Sequence, residues 1–282
     1  MENPFSMVHR ALGYIRDDGW RDTAARVVAG AALRLAPAEF RKRAHSLLGE
    51  VLERSTSTYY SGEEMAASYL MLAEDELKSV LGEFSDLAFE LRQRQGSQGL
   101  SHPAQYAIGS GTLFFLYAAV RAVRPSLVLE TGVANGCSSF YFLNAMLKNG
   151  CGVLHSVDVS ADVAGCLSKC ERDLWTLHVL QGPDYRANFA DVISRLKDID
   201  LFLHDSDHCY RWMRHEYETV FPKLSRTGLL ASDDVDNTYA FVDFCDEKRI
   251  AASLLVDRVK IFGIAAVRAR PQDVPGGKRS KP

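Results

Sequence analysis

The sequence predicts an α/β protein: a doubly wound, mainly parallel sheet of seven strands, preceded by an N-terminal helical annex. Three observations carry that reading. From Leu127 to Val267, short apolar runs alternate with segments of helical period, the pattern of strands joined by crossover helices. At Leu127 to Ser138 an apolar run, a turn with two glycines and a resumed helical register follow one another directly. Before about residue 100 the period is helical and no convincing strand is present.

Taken in order, Arg21 to Leu35 is apolar on one face, Pro37 suits the first position of the next helix, and Ser61-x-x-Glu64 is a capping box ahead of Met65 to Leu72. Glu74 to Leu81 and Ser85 to Arg94 are two further amphipathic pieces, and Arg94 to Gly99 reads as a linker. A Gly-Ser-Gly turn at Gly109 to Gly111 precedes a helix over Thr112 to Val123. Pro125 leads into the strand from Leu127, the glycine turn and a helix over Ser138 to Leu147. Leu154 to Asp158 is the next strand, Ala161 to Leu174 a helix, Leu177 to Leu180 a short strand, and Gly182-Pro183-Asp184 a loop at the ligand edge of the sheet. The alternation continues with a helix over Phe189 to Leu196, a strand over Ile199 to His204 and a helix over Tyr210 to Phe221, stopped by Pro222. A strand over Gly228 to Ser232 and a helix over Thr238 to Lys248 follow. Ala251 to Val256 and Val259 to Val267 close the sheet as a hairpin that supplies an antiparallel strand. The tail from Arg268, rich in Pro, Gly and Lys, predicts disorder.

The loop after the first strand suggests a ligand by its charge. A dinucleotide loop brings three glycines against a pyrophosphate, whereas here Glu130, Gly132 and Gly136 give the spacing E-x-G-x-x-x-G. A carboxylate in that place repels phosphate. It attracts an ammonium or sulfonium, while Ser138 and the helix N-terminus suit a carboxylate. Asp158, at the end of the next strand, suits ribose hydroxyls. The pair points to S-adenosylmethionine. Asp184 reads as a turn former or as a contact to adenine.

A second constellation ends the later strands. Asp205-Ser206-Asp207-His208 closes one and Asp233-Asp234 the next, with a helix of crossover length between them, so both acidic groups reach the carboxyl edge of adjacent parallel strands. Converging carboxylates raise one another's pKa unless a cation sits among them, and oxygen donors suit magnesium or another hard divalent ion. Asp236 and Asn237 remain open as alternative ligands. His208 is placed to accept a proton at neutral pH, and His204, adjacent to Asp205 on its strand, should point to the opposite face and into the core.

With those residues in hand, the stretch from about 105 to 267 resembles the class I S-adenosylmethionine-dependent methyltransferases. The acidic constellation resembles that of the magnesium-dependent sugar O-methyltransferases of macrolide biosynthesis, the related cephalosporin-hydroxylase-like proteins (the methyltransferase domain 24 type) and, more distantly, catechol-type O-methyltransferases. The resemblance implies a Rossmann-like sheet, a methyl-donor site lined by Glu130, Gly132, Ser138 and Asp158, metal ligation by Asp205, Asp233 and Asp234, and His208 as general base. Asp233 stands where the sugar enzymes carry Glu. The implied reaction is magnesium-dependent O-methylation of a hydroxyl-bearing small molecule, a sugar or glycosylated natural product. Hydroxylase-like chemistry on the same fold and a non-catalytic S-adenosylmethionine-binding subunit are the alternatives.

Composition bounds the rest. At 282 residues and net charge -3, with basic residues clustered only at Lys278 to Lys281, the chain is not expected to bind nucleic acid. No apolar leader follows Met1 and no run reaches membrane-spanning length, so a cytoplasmic protein is expected, and its six cysteines, without a C-x-x-C pair, are expected as thiols. The expected organisation is a helical annex over 1–100, serving as lid or homo-oligomer contact, a methyltransferase domain over 101–267 and a disordered basic tail over 268–282.

Overall fold

The computed structural model describes residues 47–98, 102, 108–257 and 260–268. The helices expected at Arg21 to Leu35 and after Pro37, residues 99–101, 103–107 and 258–259, and the tail beyond Arg268 lie outside them. In chain order the elements are β1 (Ser57–Tyr59), α1 (Gly62–Tyr69), α2 (Glu74–Gln98), α3 (Ser110–Val123), β2 (Leu127–Thr131), α4 (Cys137–Asn149) and β3 (Val153–Asp158). They continue with α5 (Lys169–Arg172), β4 (Trp175–Val179), α6 (Tyr185–Ser194), β5 (Ile199–His204), α7 (Tyr210–Val220), β6 (Leu224–Ser232), α8 (Ala240–Lys248), β7 (Ala252–Asp257) and β8 (Lys260–Ala266).

The strands form one sheet in the order β1-β7-β8-β6-β5-β2-β3-β4, in which β8 alone runs antiparallel to its neighbours. Side chains alternate across it. Val128, Leu201, Leu203 and Leu229 pack with α1, α2, α3 and α4, while Leu129, Phe202 and Leu230 pack with α6, α7 and α8. After β2 the chain builds outward through β3 and β4, then returns to lay β5 on the other side of β2. That reversal opens a crevice beyond the carboxyl ends of β2 and β5, where such sheets take ligands.

Three expectations are corrected. The sheet has eight strands rather than seven, because Ser57–Tyr59 pairs in parallel with Ser253 to Leu255. A three-residue strand whose partner is so distant in sequence leaves no periodic trace. The two helical pieces after Glu74 are one helix through Gln98, since Leu77, Val80, Phe84, Leu87 and Leu91 keep one apolar stripe across the supposed break. The helix expected over Ala161 to Leu174 shrinks to Lys169–Arg172. Ala164 takes a left-handed φ of 54° and gives its N–H to the Ala134 carbonyl at 2.9 Å, tying this stretch to the glycine turn instead. The capping residue is as expected: the Ser61 hydroxyl accepts the Glu64 N–H at 3.0 Å and α1 ends at Tyr69, where Met71 turns left-handed.

The helices before residue 98 are bonded into the sheet's own core. Phe84 stacks on Tyr141 at 4.6 Å between centroids and meets Phe114 edge to face. Glu83 binds Arg121 at 2.9 Å and accepts the Tyr117 hydroxyl at 2.8 Å, and the two donors outweigh burial, so the carboxyl is held below its ordinary range. Arg94 reaches the buried Glu171 at 2.7 Å. Among the described residues no helix is long and apolar enough to cross a membrane, and no disulfide forms.

Candidate functional site

The crevice holds a cavity of about 980 Å³, at the upper end of ligand-pocket sizes. Its walls come from the glycine turn (Thr131 to Ser138), the end of β3, the loop after β5 and the stretch beyond β6. Gly132, Ser138, Asp158, Asp205, His208 and Asp234 all line it. The two loops singled out in the sequence therefore share one chamber.

Gly132 is where they touch. Its φ is 78°, and a Cβ there would lie 2.0 Å from the Asp205 carbonyl oxygen, while the Asp205 N–H binds the Thr131 carbonyl at 2.9 Å. Only glycine meets both demands. Gly132→Ala is expected to destabilise the protein by at least about 1–2 kcal/mol, the left-handed penalty alone, as read by urea unfolding. Gly136, left-handed at 81°, lies against Ala164 and starts α4; it supports the turn from behind and is not a lining residue.

Glu130 departs from its expected place. Its side chain is fully buried and absent from the cavity wall; Oε1 accepts hydroxyls of Ser139 and Ser156, and Oε2 that of Ser138 at 2.8 Å. Burial pushes its pKa up against the pull of the three hydroxyls, with Asp158 adding to the rise. Glu130 thus ties β2, β3 and α4 together beneath the turn, and any influence on a cationic ligand passes through that scaffold. Asp158 keeps its expected position: Oδ2 accepts the Val133 N–H at 2.8 Å and Oδ1 the Ser160 N–H at 2.9 Å, which holds the carboxylate at the rim. Of its two readings, Asp184 takes the local one, as a helix cap. Its side chain accepts the Ala187 N–H at 3.0 Å to start α6, and it does not line the cavity.

Across the chamber the acidic groups converge as the topology required. His208 lies between two of them, with Nε2 3.6 Å from Asp205 Oδ1 and Nδ1 3.8 Å from Asp234 Oδ2. Asp234 adopts a left-handed φ of 50°, turning the chain directly after the fully buried Asp233. Burial raises the Asp205 carboxyl well above its ordinary value, and Asp233 raises it further. Asp233 is pushed up to about 7 by burial and by Asp234, with Lys260 opposing; Asp236 is pushed up to about 6, chiefly by burial. His204 is buried in the core as expected, its Nδ1 2.6 Å from Glu216.

Sequence reasoning missed Lys260. Its ammonium lies 3.0 Å from Asp233 Oδ2 and 3.2 Å from Asp234 Oδ1. Burial acts to lower its pKa, but Asp233, Asp234 and Asp205 hold it above the ordinary range. Its placement follows from the antiparallel pairing of β6 with β8, which sets Gly263 opposite Ser232 and carries the strand's first residue past the end of β6. The charge at the head of an otherwise apolar strand was the one available signal. At an effective dielectric near 20, a divalent ion about 4 Å from that ammonium meets roughly 8 kcal/mol of repulsion. Among the described residues, no group of three or more His, Cys, Asp or Glu side chains is arranged to hold a metal. With two of the three expected ligands already clasping Lys260, the donor set does not fit the implied magnesium. Also missed were Trp212 and Glu216, which line the floor, and His102, whose backbone exchanges hydrogen bonds with the Asn135 side chain above the glycine turn.

No curated protein matches the chain. Residues 129–235 match a family model described as a methyltransferase domain. Among solved structures, the O-methyltransferase TomG from Streptomyces achromogenes, involved in tomaymycin synthesis and in complex with S-adenosylmethionine, aligns with a TM-score of 0.50 at 15% identity, over 66% of this chain and 89% of that chain. Cofactor-bound Rv0187 from MTB aligns with a TM-score of 0.51 at 18% identity, over 66% of this chain and 91% of that chain. Both likenesses are of fold.

Proposed function

We propose that this chain, whose residues 129–235 match a methyltransferase-domain family model, binds S-adenosylmethionine and transfers its methyl group to a hydroxyl of a small molecule held in the same cavity. The observation that carries the reading is the single chamber shared by the glycine turn with Asp158 on one side and His208 with its flanking carboxylates on the other. The donor lies along the turn, its ribose at Asp158 and its methionine end toward Ser138 and the start of α4. The acceptor hydroxyl faces His208. As its oxygen bonds to the methyl carbon, the carbon–sulfur bond breaks, the sulfonium becomes a neutral thioether, and the hydroxyl proton passes to the imidazole. Asp205 and Asp234 stabilise the imidazolium that forms. No step runs through magnesium. The end of α2 lies against the donor loop, where Gln95 donates to the Cys137 thiol at 3.2 Å.

Release of S-adenosylhomocysteine from S-adenosylmethionine, measured against a panel of sugars, glycosides and phenols, tests this function. Turnover on at least one hydroxyl acceptor is expected, and donor binding without turnover on any would favour the non-catalytic alternative. Asp158→Ala removes the ribose contact and the Val133 anchor together, and is expected to weaken donor binding by about tenfold, the worth of one charged hydrogen bond, measured by calorimetry with S-adenosylhomocysteine.

A further inference from the structure

We propose that Lys260 is the resident cation of the acceptor pocket, standing where the sequence resemblance implies magnesium and closing that site to divalent metal. The inference rests on the methyl-transfer reading for its meaning, but its geometry is independent of it. The ammonium is fixed by backbone: the Val235 N–H binds the Ile261 carbonyl at 2.9 Å, and the Ile261 N–H binds Asp236 Oδ1 at 3.1 Å. These two bonds lock the start of β8 over the turn after β6. From there the side chain reaches Asp233 and Asp234 together, and His208 fills the gap between Asp234 and Asp205. Each of the three carboxylates thus meets a basic side chain of its own chain.

A magnesium ion requires near-octahedral oxygens at 2.0–2.1 Å. To supply them here, the two carboxylates would first have to release a tethered ammonium that lines the same cavity. Lysine carries three N–H donors and no acceptor. Three carboxylate oxygens lie within their reach, Asp233 Oδ2 at 3.0 Å and Asp234 Oδ1 and Oδ2 at 3.2 and 3.3 Å, so the ammonium takes up the oxygens a metal would need.

The test is Mn2+ binding to the full chain, stripped with EDTA, followed by the loss of free-ion paramagnetic signal. The wild type is expected to bind no Mn2+ at this site. Lys260→Met is expected to bind it at least tenfold more tightly than wild type, and Lys260→Met combined with Asp233→Asn is expected to lose that gain. S-adenosylhomocysteine binding by Lys260→Met reports that the variant is folded. If Lys260→Met does not fold, Lys260→Gln takes its place, and wild-type turnover decides in parallel: it is expected to be unchanged by EDTA. Mn2+ binding by the wild type as tight as by the variant overturns the proposal. So does the absence of binding by both, which would mean that Lys260 is not what excludes the ion, and so does EDTA inhibition reversed by magnesium. Because the ion titration needs no turnover, it decides the role of Lys260 even in a chain without methyltransferase activity.

Discussion

His208→Ala is expected to lower kcat by roughly 10²–10⁴-fold, the usual contribution of a positioned general base, while leaving S-adenosylmethionine affinity unchanged. Geometry sets both halves of that outcome. His208 follows the end of β5, and its ring lies within 4 Å of two carboxylates from different strands, on the side of the chamber away from Asp158. Removing the imidazole removes the proton acceptor but no wall of the donor site. Single-turnover kinetics with pre-bound donor measures the chemical step free of product release. A loss below about tenfold would exclude His208 as the base, and a matching loss of donor affinity would make it structural.

How much of this was legible in the sequence depends on the distance over which each feature is encoded. The glycine turn is local: strand, turn and helix follow one another, and Gly132 and Gly136 announce left-handed backbone directly. The convergence of Asp205 with Asp234 was legible for a different reason, because residues just past the ends of parallel strands share an edge whatever their separation in sequence. What failed needed knowledge of facing. Glu130 and Thr131 are adjacent on one strand and leave it on opposite sides, so the carboxylate that was expected in the donor site lies beneath it with three serines, while Thr131 reaches the cavity. Asp184, by contrast, caps α6, in keeping with the local of the two roles its Gly-Pro-Asp setting offered. Lys260 was out of reach because it enters through an antiparallel hairpin, whose register against β6 no spacing between Asp233 and Lys260 reveals.

The second large effect concerns Glu216, a residue to which helical period assigned nothing but a face. On α7 and 1% exposed, it gathers four hydrogen-bonding partners beneath the cavity: His204 Nδ1 at 2.6 Å, the Thr131 hydroxyl at 2.6 Å, the Ser206 hydroxyl at 2.7 Å and Trp212 Nε1 at 2.6 Å. One carboxylate thus joins the ends of β2 and β5 to the helix that follows. Burial acts to raise its pKa, but His204 and the hydroxyl donors outweigh it and hold the group below its ordinary value near 4.5. Its contribution to stability is therefore present above the unfolded-state value and is lost as pH falls through the lower, folded-state value. Glu216→Leu fills the space but strands the donors, and is expected to destabilise the protein by about 3–5 kcal/mol at neutral pH, the range for breaking a buried charged pair. Glu216→Gln keeps an acceptor oxygen and should lose less. Urea unfolding followed by circular dichroism at neutral pH and again below pH 4.5 measures both: the gap between wild type and Glu216→Leu should narrow in acid. A gap that is small at neutral pH, or that does not narrow, would mean that the carboxylate is not what binds the floor of the cavity to the two strand ends.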